Sequence, residues 1–149
     1  EKKIDNIIDA LFQIEGAYAL VFLTQDNLIG VRDPFGIRPL VIGKLNNSYI
    51  FASETCALDI IGAKFVRAVE NGEIVLIENE KLTSIKPFPL KKVRPCVFEY
   101  IYFARPDSII DNKTAYEHRK NIGIELAKEN DILFIMNDCL LRRHRQFYA

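Results

Sequence analysis

Apolar residues recur at Ile4, Ile7, Ile8, Leu11 and Phe12. This is the spacing of an amphipathic helix, which Gly16 can terminate, so a helix is predicted over Lys3 to Ile14. The pattern then changes. Ala17 to Leu23 turns to Tyr, Val and Phe, and Gln25-Asp26-Asn27 separates it from Leu28-Ile29-Gly30-Val31, which predicts a β-hairpin. A loop with two prolines and one glycine, Asp33 to Pro39, leads into Leu40-Val41-Ile42-Gly43 and Tyr49-Ile50-Phe51-Ala52. These flank the polar Leu45 to Ser48 as a second hairpin, so four strands are expected to sit together. Ser53 to Gly62 has the form of a short helix with Ser53 as cap and Gly62 as terminator. Phe65 to Val69 and Glu73 to Ile77 are predicted to pair around the turn dipeptide Asn71-Gly72.

Lys86 to Pro95 holds three prolines and four basic residues, a composition shift expected of a crossover between two structural units. Beyond it, Cys96-Val-Phe-Glu-Tyr-Ile-Tyr-Phe-Ala-Arg-Pro-Asp-Ser108 packs four aromatics around Glu99 and stops at a turn-forming Arg-Pro-Asp-Ser. A short apolar run between two prolines predicts a segment buried on more than one side, and a carboxylate there requires a partner. Thr114 to Glu129 sets Tyr116, Ile122, Ile124, Leu126 and Ala127 on an expected amphipathic helix, and Ile132 to Met136 is expected as a strand after it.

Composition adds limits rather than a function. A chain of 149 residues with 49% hydrophobic and 27% charged residues suits one globular domain with a real core. Twenty basic and twenty acidic residues cancel, which gives no electrostatic reason to expect nucleic acid or an anionic membrane as partner. No apolar run approaches the ~18 residues that span a bilayer, and the first residues do not read as a signal peptide, so a cytoplasmic location is expected. Cys56, Cys96 and Cys139 are odd in number and widely spaced, which predicts reduced thiols rather than a disulfide framework or a self-contained zinc site.

Three places hold candidate chemistry. Arg32-Asp33-Pro34-Phe35-Gly36-Ile37-Arg38-Pro39 either shapes a pocket for an anionic substrate or is a hairpin connection whose charges satisfy one another. Ser53-Glu54-Thr55-Cys56 offers a thiol at a helix start, but a nucleophilic Cys56 needs a base, and the histidines, His118 and His144, lie far away in sequence. An inert buried thiol is the competing role. Cys96 is either a small apolar filler or a ligand at a domain edge.

Gly16-Ala17-Tyr18, the loop Arg32 to Pro39, Ala52-Ser-Glu-Thr-Cys-Ala-Leu-Asp59, Val69-Glu-Asn-Gly-Glu73 and Cys96 to Ser108 occur in one order and spacing. Together, from about Gly16 to Asn130, they closely resemble the amidophosphoribosyltransferase family. The resemblance implies an α+β chain: the later half of an N-terminal-nucleophile glutaminase sandwich (αββα) over residues 1–85, a linker over 86–95, and the start of an α/β phosphoribosyltransferase domain over 96–130. Residues 131–149 are a tail that departs from the family. The implied activity is transfer of glutamine-derived ammonia to phosphoribosyl pyrophosphate, giving 5-phosphoribosylamine, the first step of purine synthesis.

The same resemblance implies Mg²⁺ at ligands outside this chain, glutamine and phosphoribosyl pyrophosphate as substrates, and a homo-oligomeric parent enzyme. Some members hold a [4Fe–4S] cluster on four cysteines, one of which falls at Cys96. The family's nucleophile is a first-residue cysteine whose own α-amino group is the base, whereas this chain begins with Glu1. Ile132 to Asp138 is followed by Cys139-Leu-Leu-Arg142, without the glycine and hydroxyls of a phosphate loop. The expectation is an internal fragment that is inactive alone, with no catalytic residue assignable; the alternative is a non-enzymatic remnant or a binding subunit completed by another polypeptide.

Overall fold

The computed structural model describes residues 2–89 and 91–129. The expected strand at Ile132 to Met136, the divergent tail and Cys139 lie outside them. Helix α1 (Lys2–Phe12) is followed by strands β1 (Ala19–Leu23), β2 (Asn27–Arg32), β3 (Val41–Leu45) and β4 (Ser48–Ala52), then helix α2 (Thr55–Ile60). Strands β5 (Lys64–Ala68), β6 (Ile74–Glu78) and β7 (Lys81–Ile85) come next. A single π-turn (Glu99–Phe103), a two-residue ribbon of β8 (Ile109–Ile110) and β9 (Lys113–Thr114), and helix α3 (Ala115–Glu129) complete the described chain.

The strands form two antiparallel sheets of order β1-β2-β6-β7 and β4-β3-β5. Alternation of side chains gives each sheet two apolar faces, and three clusters fill them. Leu11, with Ile7 and Ile8, lays α1 against Ile29, Val31 and Ile74 on the outer face of the first sheet. Ile42, Val75 and Ile77, with Tyr49, Phe51 and Leu28, fill the space between the sheets. Leu58 of α2 meets Val41 and Ala63 on the outer face of the second sheet. The layers are therefore helix, sheet, sheet, helix, the order that the resemblance implied.

One close contact between the sheets depends on a missing side chain. A Cβ on Gly30 of β2 would overlap the ring of Phe51 on β4. Gly30→Ala is expected to lower unfolding free energy by about 1–3 kcal/mol through overpacking. Chemical denaturation measures it, and Phe51→Leu in the same background should recover part of the loss. A loss unrelieved by the smaller residue would show that contact with Phe51 is not the cause.

The pairing differs from the sequence expectation in three respects. The four strands β1 to β4 do not share a sheet: Asp33 to Pro39 is a crossover between sheets, not a hairpin connection. Likewise β5 and β6 do not pair, although Asn71-Gly72 does turn, with Gly72 at φ 67° and the Glu73 amide donating to the Glu70 carbonyl at 3.2 Å. This turn is the second crossover. The edge strand β7, unpredicted, pairs with β6 through a two-residue hairpin that puts both Asn79 and Glu80 at positive φ.

The aromatic run is not buried on more than one side as expected. Phe98, Ile101, Tyr102 and Phe103 are exposed, and the three rings pack on one another around the π-turn, whose carbonyls are bound from α3: Arg119 donates to the oxygens of Tyr100 (2.9 Å) and Ala104 (2.7 Å). Thr114 and Glu117 form a reciprocal capping box at the start of α3. Ile122, Ile124 and Leu126 remain exposed, so this helix does not bury the apolar face expected of it.

Candidate functional site

Both crossovers meet at one corner of the sandwich, and hydrogen bonds rather than apolar contacts shape it. Asp33, fully buried, turns its carboxylate onto the amides of Phe35 (2.9 Å) and Ile37 (2.9 Å). Its backbone carbonyl accepts from Gly36 and Gly72, each at 3.0 Å, so one residue holds both crossovers. Gly36 sits at φ 64° against the side-chain amide of Asn71, where any Cβ would overlap it.

Arg32 spends its guanidinium on three carbonyls, those of Arg38 (2.8 Å), Val69 (2.8 Å) and Gly36 (3.0 Å). Burial lowers its pKa, with Asp33 and Asp111 opposing the shift. Neither arginine forks onto Asp33: backbone carbonyls take Arg32, Glu99 takes Arg38, and backbone amides take the Asp33 carboxylate. The loop charges are met by backbone groups and, for Arg38, by Glu99, not by one another as in a hairpin connection.

The chain after Pro89 docks on this corner. Arg94 and Cys96 donate their amides to the carbonyls of Phe35 (2.9 Å) and Ile37 (3.0 Å). Arg38 Nη1 lies 2.9 Å from Glu99 Oε1, while its guanidinium covers the Phe103 ring at 5.0 Å. The partner that Glu99 needed is thus Arg38, while Arg105 pairs with its neighbour Asp107.

Glu54 and Thr55 complete the dock across more than fifty residues of sequence. Glu54 Oε2 accepts from Ser108 Oγ (2.6 Å) and the Arg105 amide (2.8 Å), and Thr55 Oγ1 accepts from the Ile109 amide (2.8 Å). Neither Ser53 nor Glu54 therefore caps α2: the residue before the helix is Glu54, whose side chain makes no capping bond. Sequence reasoning gave Glu54 no partner, and no local signal discloses that its partners follow the linker.

Cys56 is buried beneath the dock, 3.6 Å from Glu54 Oε2, and burial first, then the neighbouring acids, push its thiol pKa up despite a hydrogen bond involving Ser108. Burial and the adjacent acids thus disfavour the thiolate that nucleophilic attack needs. His118 points instead to the Ile110 carbonyl (2.9 Å) and stands edge-on to Tyr100. Cys96 is half-buried, and among the described residues no group of three or more His, Cys, Asp or Glu could hold a metal ion. One thiolate does not by itself fit an iron–sulfur cluster.

A cavity of about 380 Å³ opens where the dock meets the corner, lined by Arg32, Glu54, Cys96, Glu99, Tyr100 and Asp111 among others. Tyr100 donates to Asp111 at 2.5 Å, and burial together with that acid raises its pKa to about 12. Glu99, 7% exposed, has its pKa raised by burial, with Arg38 opposing and Glu54 adding to the rise.

Residues 2–59, which include α1, β1 to β4 and the crossover Asp33 to Pro39, match the glutamine amidotransferase domain family. The layered sheets and this match define a glutamine amidotransferase domain. The chain is 52% identical over 133 residues to the amidophosphoribosyltransferase of Rhizobium etli, covering 86% of this chain and 27% of the relative. It is 44% identical over 127 residues to the chloroplastic amidophosphoribosyltransferase of Glycine max, covering 85% and 22%. The glutamine phosphoribosylpyrophosphate amidotransferase of B. subtilis, solved with ADP and GMP, superposes with a TM-score of 0.82 at 43% identity, over 87% of this chain and 28% of that one. The chain is thus similar to amidophosphoribosyltransferases over most of its own length and spans about a quarter of the length of these relatives. Among the described residues no helix is long and apolar enough to cross a membrane.

Proposed function

We propose that this chain is the joint of an amidophosphoribosyltransferase, an enzyme that moves ammonia from glutamine to phosphoribosyl pyrophosphate and forms 5-phosphoribosylamine for purine synthesis. Residues 1–85 are the later half of its glutaminase sandwich, 86–95 the linker and 96–130 the opening of its phosphoribosyltransferase domain. The observation that carries this is the continuity of the match: one alignment over 86% of the chain runs through both crossovers. The dock explains what such a joint does physically. Segment Arg94 to Ile109 is fixed to the glutaminase layers by Phe35, Ile37, Arg38, Glu54 and Thr55, so a rigid path connects the two halves.

In this reading the whole enzyme is a cytoplasmic homo-oligomer using Mg²⁺, and Cys96 contributes to a [4Fe–4S] cluster only with cysteines beyond the described residues. Such a cluster, held by cysteine thiolates, would supply a redox centre. Iron quantification of a full-length relative matching this chain tests that ligand; absence of iron would remove it.

The 149-residue polypeptide itself is expected to release no ammonia from glutamine. Its described thiols are one buried and one half-buried, and the described histidine faces a backbone carbonyl rather than either. A coupled glutamate assay on the purified chain measures this. Turnover abolished by Cys56→Ser or Cys96→Ser would sink the claim.

A further inference from the structure

The cavity at the dock carries an imbalance that the joint does not explain. Its charged lining is one guanidinium, Arg32, against three carboxylates, Glu54, Glu99 and Asp111. Arg32 is committed to three backbone carbonyls, and Asp111 receives the Tyr100 hydroxyl. Glu99 is more than nine-tenths buried, yet its Oε1 accepts no hydrogen bond. Arg38 Nη1 is 2.9 Å away as a charge partner, out of line for donation. A buried carboxylate oxygen without a donor is costly to maintain, so a donor arriving from the cavity would be bound strongly.

The rest of the wall is apolar: Ile37, Pro39, Val93 and Ile109 stand among the lining residues. A volume of about 380 Å³ falls within the ~300–1,000 Å³ of small-molecule sites. A divalent metal ion suits it poorly, since such ions need about six oxygen ligands and no ligating group of three exists among the described residues.

We propose that this cavity binds a small organic cation, its ammonium group taken by the carboxylates of Glu99 and Glu54 and its carbon chain laid against Ile37, Pro39, Val93 and Ile109. One ammonium N–H supplies the donor that Glu99 Oε1 lacks, and the positive charge adds to that of Arg32 against the lining acids. Binding also locks Glu99 and Glu54 together across the dock, since the two acids belong to the segments that it joins.

The test is titration of the intact chain with n-butylammonium, butan-1-ol and n-butyrate, followed by amide chemical shifts of Cys96, Arg105 and Ile109. The ammonium is expected to shift these signals saturably and at least tenfold more tightly than the alcohol, with no saturation by butyrate. Glu99→Gln, which keeps shape and removes charge, is expected to weaken ammonium binding at least tenfold while leaving signals of the β2–β6 ladder in place. Equal binding of ammonium and alcohol, no saturable shift, or full affinity in Glu99→Gln would each overturn the proposal. The comparison of the three probes on the unaltered chain decides the matter even if a variant misfolds.

Discussion

Asp33→Ala is expected to lower the unfolding free energy by about 3 kcal/mol, and Asp33→Asn by nearly as much. The carboxylate is fully buried and receives the amides of Phe35 and Ile37, with Arg38 farther off at 3.4 Å. Charge-assisted hydrogen bonds contribute about 1.5–3 kcal/mol each, and buried amides left without an acceptor cost about 1–3 kcal/mol apiece. Alanine removes every acceptor at once. Asparagine keeps one oxygen but turns an NH₂ group toward amides that are themselves donors. Urea denaturation of both variants measures the effect, and losses below 1 kcal/mol would show that the loop holds its shape without the carboxylate. Because Phe35 and Ile37 offer the carbonyls on which Arg94 and Cys96 dock, hydrogen exchange at those two amides should quicken in parallel.

The same corner shows what the sequence could and could not disclose. Helix α1 was legible from Ile7, Ile8 and Leu11 because one face of a helix is a local pattern, and those residues do meet the first sheet. The turn at Asn71-Gly72 was legible too, since left-handed φ favours glycine and asparagine. Which strands it joined was not. A turn dipeptide reports a local reversal, and whether the next strand stays in its sheet depends on partners such as Val31 and Ile74, far apart in sequence. The π-turn was hidden for a related reason: an apolar run interrupted only by Glu99 has no clear period, and its carbonyls are satisfied by Arg119 in another element. Family likeness, resting on many motifs together, read the layers correctly where pairwise strand prediction failed. The cavity was invisible because its lining comes from five stretches of chain, joined only by folding.

Glu73→Gln is expected to remove on the order of 3 kcal/mol of stability at neutral pH, and the loss should fade in acid. Glu73 is 1% exposed and sits at the second crossover, where it bridges the sheets: Arg67 of β5 binds it at 2.6 and 2.8 Å, Ser84 of β7 at 2.6 Å, and the Glu70 amide at 2.6 Å. Burial alone would raise its pKa, but the bonds from Arg67, Ser84 and Glu70, together with the Arg67 charge, outweigh burial and lower it from 4.5 to about 2. An acid whose folded pKa is depressed contributes stability above its unfolded value, and that contribution is lost as pH falls from about 4.5 toward about 2. At about 1.4 kcal/mol per pKa unit, the shift corresponds to the stated figure. Glutamine retains a bond to Ser84 or Arg67 but carries no charge, and Arg67, partly exposed, can turn to water. Arg67→Met should therefore cost more than Glu73→Gln, about 3–5 kcal/mol, because it leaves the deeper charge buried without its partner. Urea midpoints of the native chain and both variants, taken from pH 7 to pH 2.5, separate these outcomes. Parallel pH profiles for the native chain and Glu73→Gln would mean that the bridge between the sheets owes nothing to the ionised carboxylate.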